Sequence, residues 1–163
     1  GKIAAPLAIT ATMVAGFRGP NVPFDRSTTT LMIRSLPRTY TSEALMCEIG
    51  RVCPKDSIDF MYLPWDNDRK SNMSLAFVNF ITPQLAAMCF FGLSGKPWTL
   101  ISTAKICQVE VGNKQGLIAN LAYYVVSMAK LKAGQSSRLR SPPIVFVGGR
   151  RLEDLDREIP RLC

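Results

Sequence analysis

Ser74-Leu75-Ala76-Phe77-Val78-Asn79-Phe80 reads as a strand with one apolar side and one mixed side, and its reading decides the fold. Successive side chains of a strand point to opposite faces. Ala76, Val78 and Phe80 therefore fall toward a core, with Leu75, Phe77 and Asn79 on the opposite face. A second run, Leu31-Met32-Ile33-Arg34-Ser35-Leu36, divides in the same way: Leu31 and Ile33 point inward, Met32 and Arg34 outward. A sheet covered by helices on one side only produces this division. Phe77 is the only aromatic on the outward side of these two strands.

Working outward from the two runs gives the order strand, helix, strand, strand, helix, strand. The first helix starts at Thr41, a capping residue, with Glu43 in its first turn, a Leu45, Ile49, Val52 stripe and an end near Cys53-Pro54. Residues 58–63 read as the next strand, closed by Pro64, and the charged loop 65–72 leads into the third. Thr82 caps a second helix with Pro83 at its first position, and Ala86, Cys89, Phe90 and Leu93 form its inward side. Residues 106–111 form the last strand, with Cys107 and Val109 inward and Gln108 and Glu110 outward.

The octamer ending at Phe80 resembles the strand signature of an RNA recognition motif (RRM) at Ala76, Phe77, Val78 and Phe80. Met73, Ser74 and Leu75 stand where that signature has a basic residue, a glycine and an aromatic. The stretch from Thr29 through Leu31-Met32-Ile33-Arg34-Ser35-Leu36-Pro37-Arg38 to Thr41 is similar to the start of the C-terminal RRM of Mei-two-like proteins, in which Met32 is typical. Asp59-Phe60-Met61-Tyr62-Leu63-Pro64, Ala76-Phe77-Val78-Asn79-Phe80, Gly95-Lys96-Pro97-Trp98 and Lys105-Ile106-Cys107-Gln108-Val109 follow in the family's order. Gln115-Gly116-Leu117-Ile118-Ala119 resembles its added helix. The resemblance implies an α+β, ferredoxin-like βαββαβ fold. It has a four-stranded antiparallel sheet with two helices on one face, plus a C-terminal extra helix. It also implies single-stranded RNA as partner and a post-transcriptional regulatory role in the nucleus or cytoplasm.

The chain of 163 residues carries a net charge of +8, unevenly spread. Residues 28–111 hold eight basic and seven acidic side chains, whereas residues 112–151 hold seven basic and none acidic. The expected organisation is a flexible linker over 1–27, the RRM with its added helix over 28–125, and a basic, mostly flexible tail over 126–163. Residues 3–17 are apolar, but Pro6 and scattered threonines make them read as a linker rather than a membrane span. Leu117, Ile118, Leu121, Tyr124, Val125 and Met128 give the added helix a broad apolar side, which covers either the flank of the domain or the open sheet. Residues 133–143 read as a linker, residues 144–147 as a short strand or docking segment, and Gly148-Gly149 as a turn.

The RNA-binding expectation assigns roles to particular side chains. Phe77 stacks one base, and Met32 with Leu75 covers a neighbour. Arg34, Arg69 and Lys70 meet phosphates or base edges. Asn79, Gln108 and Glu110 read hydrogen-bonding groups. Lys114, Lys130, Lys132, Arg138 and Arg140 in the basic extension attract phosphates, or else form a solvated tail. A competing reading is a protein-binding RRM that takes a peptide at Lys96-Pro97-Trp98, in the place where such modules keep Arg-x-Phe. Against that, Trp98 also reads as a loop anchor.

Enzyme, metal and cofactor roles are not expected. The chain has no histidine, its five cysteines form no C-x-x-C pair, and Asp66-Asn67-Asp68 departs from a calcium loop at Lys70.

Overall fold

The computed structural model describes residues 23–131 and 141–162. The βαββαβ order is present as β1 (Thr30–Arg34), α1 (Ser42–Gly50), β2 (Ile58–Tyr62), β5 (Leu75–Phe80), α2 (Pro83–Leu93) and β6 (Gln108–Val111). Two short strands, β3 (Trp65–Asp66) and β4 (Ser71–Asn72), pair with each other inside the loop between β2 and β5. Three further elements follow the motif among the described residues before a last helix: α3 (Leu117–Ala129), β7 (Ile144–Val147) and β8 (Arg150–Arg151), then α4 (Leu155–Leu162).

The four motif strands are antiparallel, and β1 and β5 lie at the centre with Leu31 opposite Val78 and Met32 opposite Phe77. Strand parity holds as the sequence predicts. Leu31, Ile33, Ala76, Val78, Phe80, Cys107 and Val109 join Leu45, Ile49, Ala86, Cys89 and Leu93 in the core beneath the helices. Both helices start where their caps predict. The hydroxyl of Thr41 accepts from the Ala44 amide at 3.2 Å, and that of Thr82 from the Leu85 amide at 3.2 Å.

Close packing fixes α2 against the loop that follows α1. A methyl group on Gly92 would lie 2.7 Å from Cβ of Val52, a distance real side chains do not adopt. Gly92→Ala is expected to lower stability by about 1–3 kcal/mol in a urea melt, because α2 must move off the α1–β2 loop.

Three boundaries differ from the sequence expectation. The last strand begins at Gln108 rather than at 106, because Cys107 exchanges backbone hydrogen bonds with Gly95 and Lys96. The domain also reaches back into the expected linker: Phe24 packs on the core, its ring 4.7 Å from that of Phe90.

The third difference is larger. The sheet has six strands, in the order β6-β1-β5-β2-β7-β8, because β7 pairs along the outer edge of β2, with Val145 opposite Phe60. A mostly flexible tail does not describe residues 141–162. Pairing satisfies an edge that would otherwise stay open, and it buries Ile144 with the helices and Val145 on the opposite face. The Ser141 hydroxyl donates to the Leu63 carbonyl at 2.9 Å just ahead of the strand. Gly148 and Gly149, both at positive φ, make the turn into β8.

Candidate nucleic-acid interface

The face of the sheet away from α1 and α2 is built from rows set by strand register. Thr30 lies opposite Asn79, Met32 opposite Phe77 and Arg34 opposite Leu75. On the flanking strands Gln108 and Glu110 lie beside Arg34 and Met32, and Tyr62 and Phe60 beside Phe77 and Asn79. Phe60 and Tyr62 of the flanking strand β2 belong to this face as well, beside Phe77, the aromatic that the two central strands supply. Alternation along β2 could have found them, since Met61 and Leu63 supply the inward positions. The rings of Tyr62 and Phe77 lie 6.4 Å apart at 21°, as a loose aromatic row.

That row is closed to solvent. Met32 is 2% exposed, Phe77 1% and Phe60 0%, because Leu121 and Tyr124 of α3, Leu152, and Ile159 of α4 pack over them. Tyr124 meets Tyr62 edge-on at 5.3 Å. Burial pushes the Tyr62 phenol well above its ordinary pKa, so it stays neutral. The apolar side of the added helix thus covers the sheet rather than the flank. Met32 and Phe77, expected to touch bases, are core residues in this arrangement, and Leu75 is partly buried beside them.

Polar bonds hold the cover at one end. The Thr30 hydroxyl donates to Oδ1 of Asn79 at 2.7 Å and accepts from the Gly116 amide at 2.9 Å and from Nδ2 of Asn120 at 3.2 Å. The Gln115 side chain accepts from the amides of Thr29 and Thr30 and donates to the carbonyls of Thr30 and Gly112. Asn79, expected to read a base, is buried and spends its amide on Asp59 at 2.7 Å. Burial raises the Asp59 carboxyl above its usual range although Asn79 donates to it.

The opposite end of the face is open. A groove of about 390 Å³ runs between Arg34, Ser35, Met73, Ser74, Leu75, Lys105 and Gln108. Arg34, on its wall, pairs with Glu110, which lies beside Met32 on β6, and Gln108 is exposed. Lys105, which the sequence reading did not single out, is fixed on the groove wall by bonds to the Leu36 carbonyl at 3.0 Å and the Ser74 hydroxyl at 3.4 Å. Arg69 and Lys70 sit in the β3–β4 hairpin, outside the groove lining, with Arg69 3.9 Å from Asp66.

Of the basic extension, Lys114 lies over the Tyr123 ring at 5.1 Å and Lys130 is exposed at the end of α3. Lys132, Arg138 and Arg140 lie outside the described residues.

Trp98 is buried. Its indole N–H donates to the Ser35 carbonyl at 2.9 Å and its ring meets Tyr40 edge-on, so it anchors the loop below the groove. Lys96, exposed, reaches the Phe91 carbonyl at 3.4 Å. The triplet does not present an open aromatic for a peptide.

The sequence profile of the family described as RNA recognition motif 2 matches residues 28–125. The chain belongs to that family. Protein MEI2-like 4 of Arabidopsis thaliana is 37% identical over 98 residues, covering 60% of this chain and 11% of that protein. Protein terminal ear1 of Zea mays is 31% identical over 105 residues, covering 56% of this chain and 16% of that protein. The chain therefore corresponds to a small part of these RNA recognition motif 2 relatives. A solved structure of the Rna15 RRM with bound RNA (GU) is similar at 14% identity. It covers 59% of this chain and 96% of that one, with a TM-score of 0.47. The family is a binding motif rather than an enzyme class. Among the described residues no group of three or more His, Cys, Asp or Glu side chains is placed to hold a metal ion.

Proposed function

We propose that the chain binds single-stranded RNA on the face of its sheet away from α1 and α2. It would do so as the RNA-binding part of a longer post-transcriptional regulator of the MEI2-like kind, acting in the nucleus or cytoplasm. The observation that carries this reading is the family's β1–β5 pair at the centre of the sheet, next to an open groove lined by Arg34, Lys105, Gln108 and Leu75. Lys105 meets a phosphate, Arg34 a phosphate or a base edge, and a base lies on Leu75. Contact with the aromatic row requires α3 and α4 to leave it, so the groove is the part of the face available while the cover is in place.

A titration of the intact chain with random single-stranded RNA at several salt concentrations tests the proposal. Affinity is expected to fall with salt at a slope of about 0.7 per phosphate contact, and Lys105→Ala should reduce that slope by about one contact. A chain that binds no RNA even at the lowest salt would refute the reading.

A further inference from the structure

At the margin of the groove lies a pair of side chains that a phosphate-binding surface does not need: Arg34, which lines it, and Glu110, next along β6 on the same face. Arg34 and Glu110 come from neighbouring strands and meet at 2.5 Å with 38% and 36% of their side chains exposed. An ion pair this exposed contributes little to stability. Both groups nevertheless project from paired strands, Arg34 between Leu75 and Gln108 and Glu110 beside Met32.

We propose that this groove and the β1–β6 rim beside it form a single-nucleotide site selective for guanine, with Arg34 and Glu110 as its specificity-determining residues. The inference rests on the RNA-binding reading. It goes further by naming the base and by moving recognition from the covered aromatic row to the β1–β6 rim.

The complementarity follows from the donors and acceptors of the four bases. A guanidinium only donates and a carboxylate only accepts. Guanine offers two adjacent acceptors, O6 and N7, on its Hoogsteen edge and, round the corner at O6, two donors, N1–H and the 2-amino group, on its Watson–Crick edge. It therefore engages both groups with paired bonds while Arg34 and Glu110 stay in contact with each other. Adenine and cytosine offer the carboxylate one amino group, and uracil offers it one ring N–H.

The rest of the groove fits a nucleotide. Leu75 and Met73 provide an apolar floor for the base plane, and Gln108 flanks its edge. The ammonium group of Lys105, already fixed by two acceptors, stands on the wall as a phosphate contact.

The backbone is strained at the same place. Ser35 and Ser74 both adopt left-handed conformations, at φ 62° and 64°, and the Leu36 amide joins them by bonding the Ser74 carbonyl at 3.2 Å. Non-glycine residues in that region are strained and gather at binding sites.

Fluorescence anisotropy on the intact chain tests the site, using an oligouridine and the same oligonucleotide with one central guanosine, adenosine, cytidine or inosine. The guanosine oligonucleotide is expected to bind about tenfold more tightly than the others. Inosine, which lacks the 2-amino group, is expected to lose most of that preference. Glu110→Gln should bring the guanosine advantage to about twofold or less with an unchanged melting temperature, since it removes only an exposed ion pair. Arg34→Lys should act in the same direction, because an ammonium cannot bond O6 and N7 together. Equal binding of all the oligonucleotides, or a guanosine preference that survives Glu110→Gln, would overturn this inference and leave the RNA-binding reading intact. No binding to any of them would overturn both.

Discussion

Phe77→Ala is expected to lower the folding stability by about 3–5 kcal/mol, the cost of emptying a large buried aromatic position. If Phe77 lay on an open sheet, the same change would weaken RNA binding and leave stability nearly untouched. Burial under α3 and α4 reverses that balance, since its ring is enclosed by Met32, Tyr62 and the cover. Urea denaturation of the purified variant measures the loss. Leu75→Ala, at a half-buried position beside the groove, serves as the comparison and is expected to cost about 1 kcal/mol. A Phe77→Ala protein as stable as the parent would mean that the cover does not rest on the sheet in solution.

Glu48→Ala is the second change with a large expected effect, about 3 kcal/mol, because the buried Tyr40 hydroxyl and the part-buried donors of Thr99 and Arg51 lose their acceptor together. The carboxylate of α1 receives the Tyr40 hydroxyl at 2.7 Å, the Thr99 amide at 2.8 Å and hydroxyl at 2.5 Å, and the Arg51 guanidinium at 3.2 Å. Burial pushes the Glu48 carboxyl up, but the bonds from Thr99, Tyr40 and Arg51 outweigh it and hold the group below its ordinary value of 4.5. Burial and the adjacent Glu48 together raise Tyr40 to about 12.

A carboxyl depressed in the folded state contributes stability that is fully present above its unfolded value and disappears as pH falls through the folded one. The raised tyrosine behaves in the opposite sense. Its contribution is complete below 10 and is lost as pH rises through about 12. Melting temperature should therefore decline on the acid side below about pH 4.5. The decline should be shallower in Glu48→Gln, which cannot titrate.

The sequence shows the motif plainly because strand parity is strict. Leu31, Ile33, Ala76 and Val78 can face only one way, and Thr41 and Thr82 mark both helix starts without help from tertiary structure. Gln108 and Glu110 are outward for the same reason.

The cover is less legible. The apolar side of residues 117–128 announces a helix that needs a surface, but it does not say which, because the flank and the sheet offer similar chemistry. Leu152, Leu155, Ile159 and Leu162 recur at helical spacing, a signal masked by the charged residues between them. Reading the extension by its charge makes it a tail, whereas reading it by its periodicity makes it a second layer. Lys105 was overlooked because its place on the groove wall depends on backbone acceptors at Leu36, far away in sequence. No spacing rule reports such a contact.

The unequal fastening of the cover determines how it can leave. At the Thr30 end, α3 is bonded through Gln115, Gly116 and Asn120, whereas Met128 and Leu155, Ile159 and Leu162 of α4 join the cluster on the sheet through apolar side chains. Separation begins at the end without those bonds, so amides late in α3 exchange with deuterium before those near Leu117. A lifted helix remains tethered through residues 112–116. Any ligand for Phe77 and Tyr62 therefore competes with an attached occupant, at an effective concentration on the order of millimolar. Substitutions that loosen Leu121 or Ile159 raise the apparent affinity of such a ligand without adding a single contact to it.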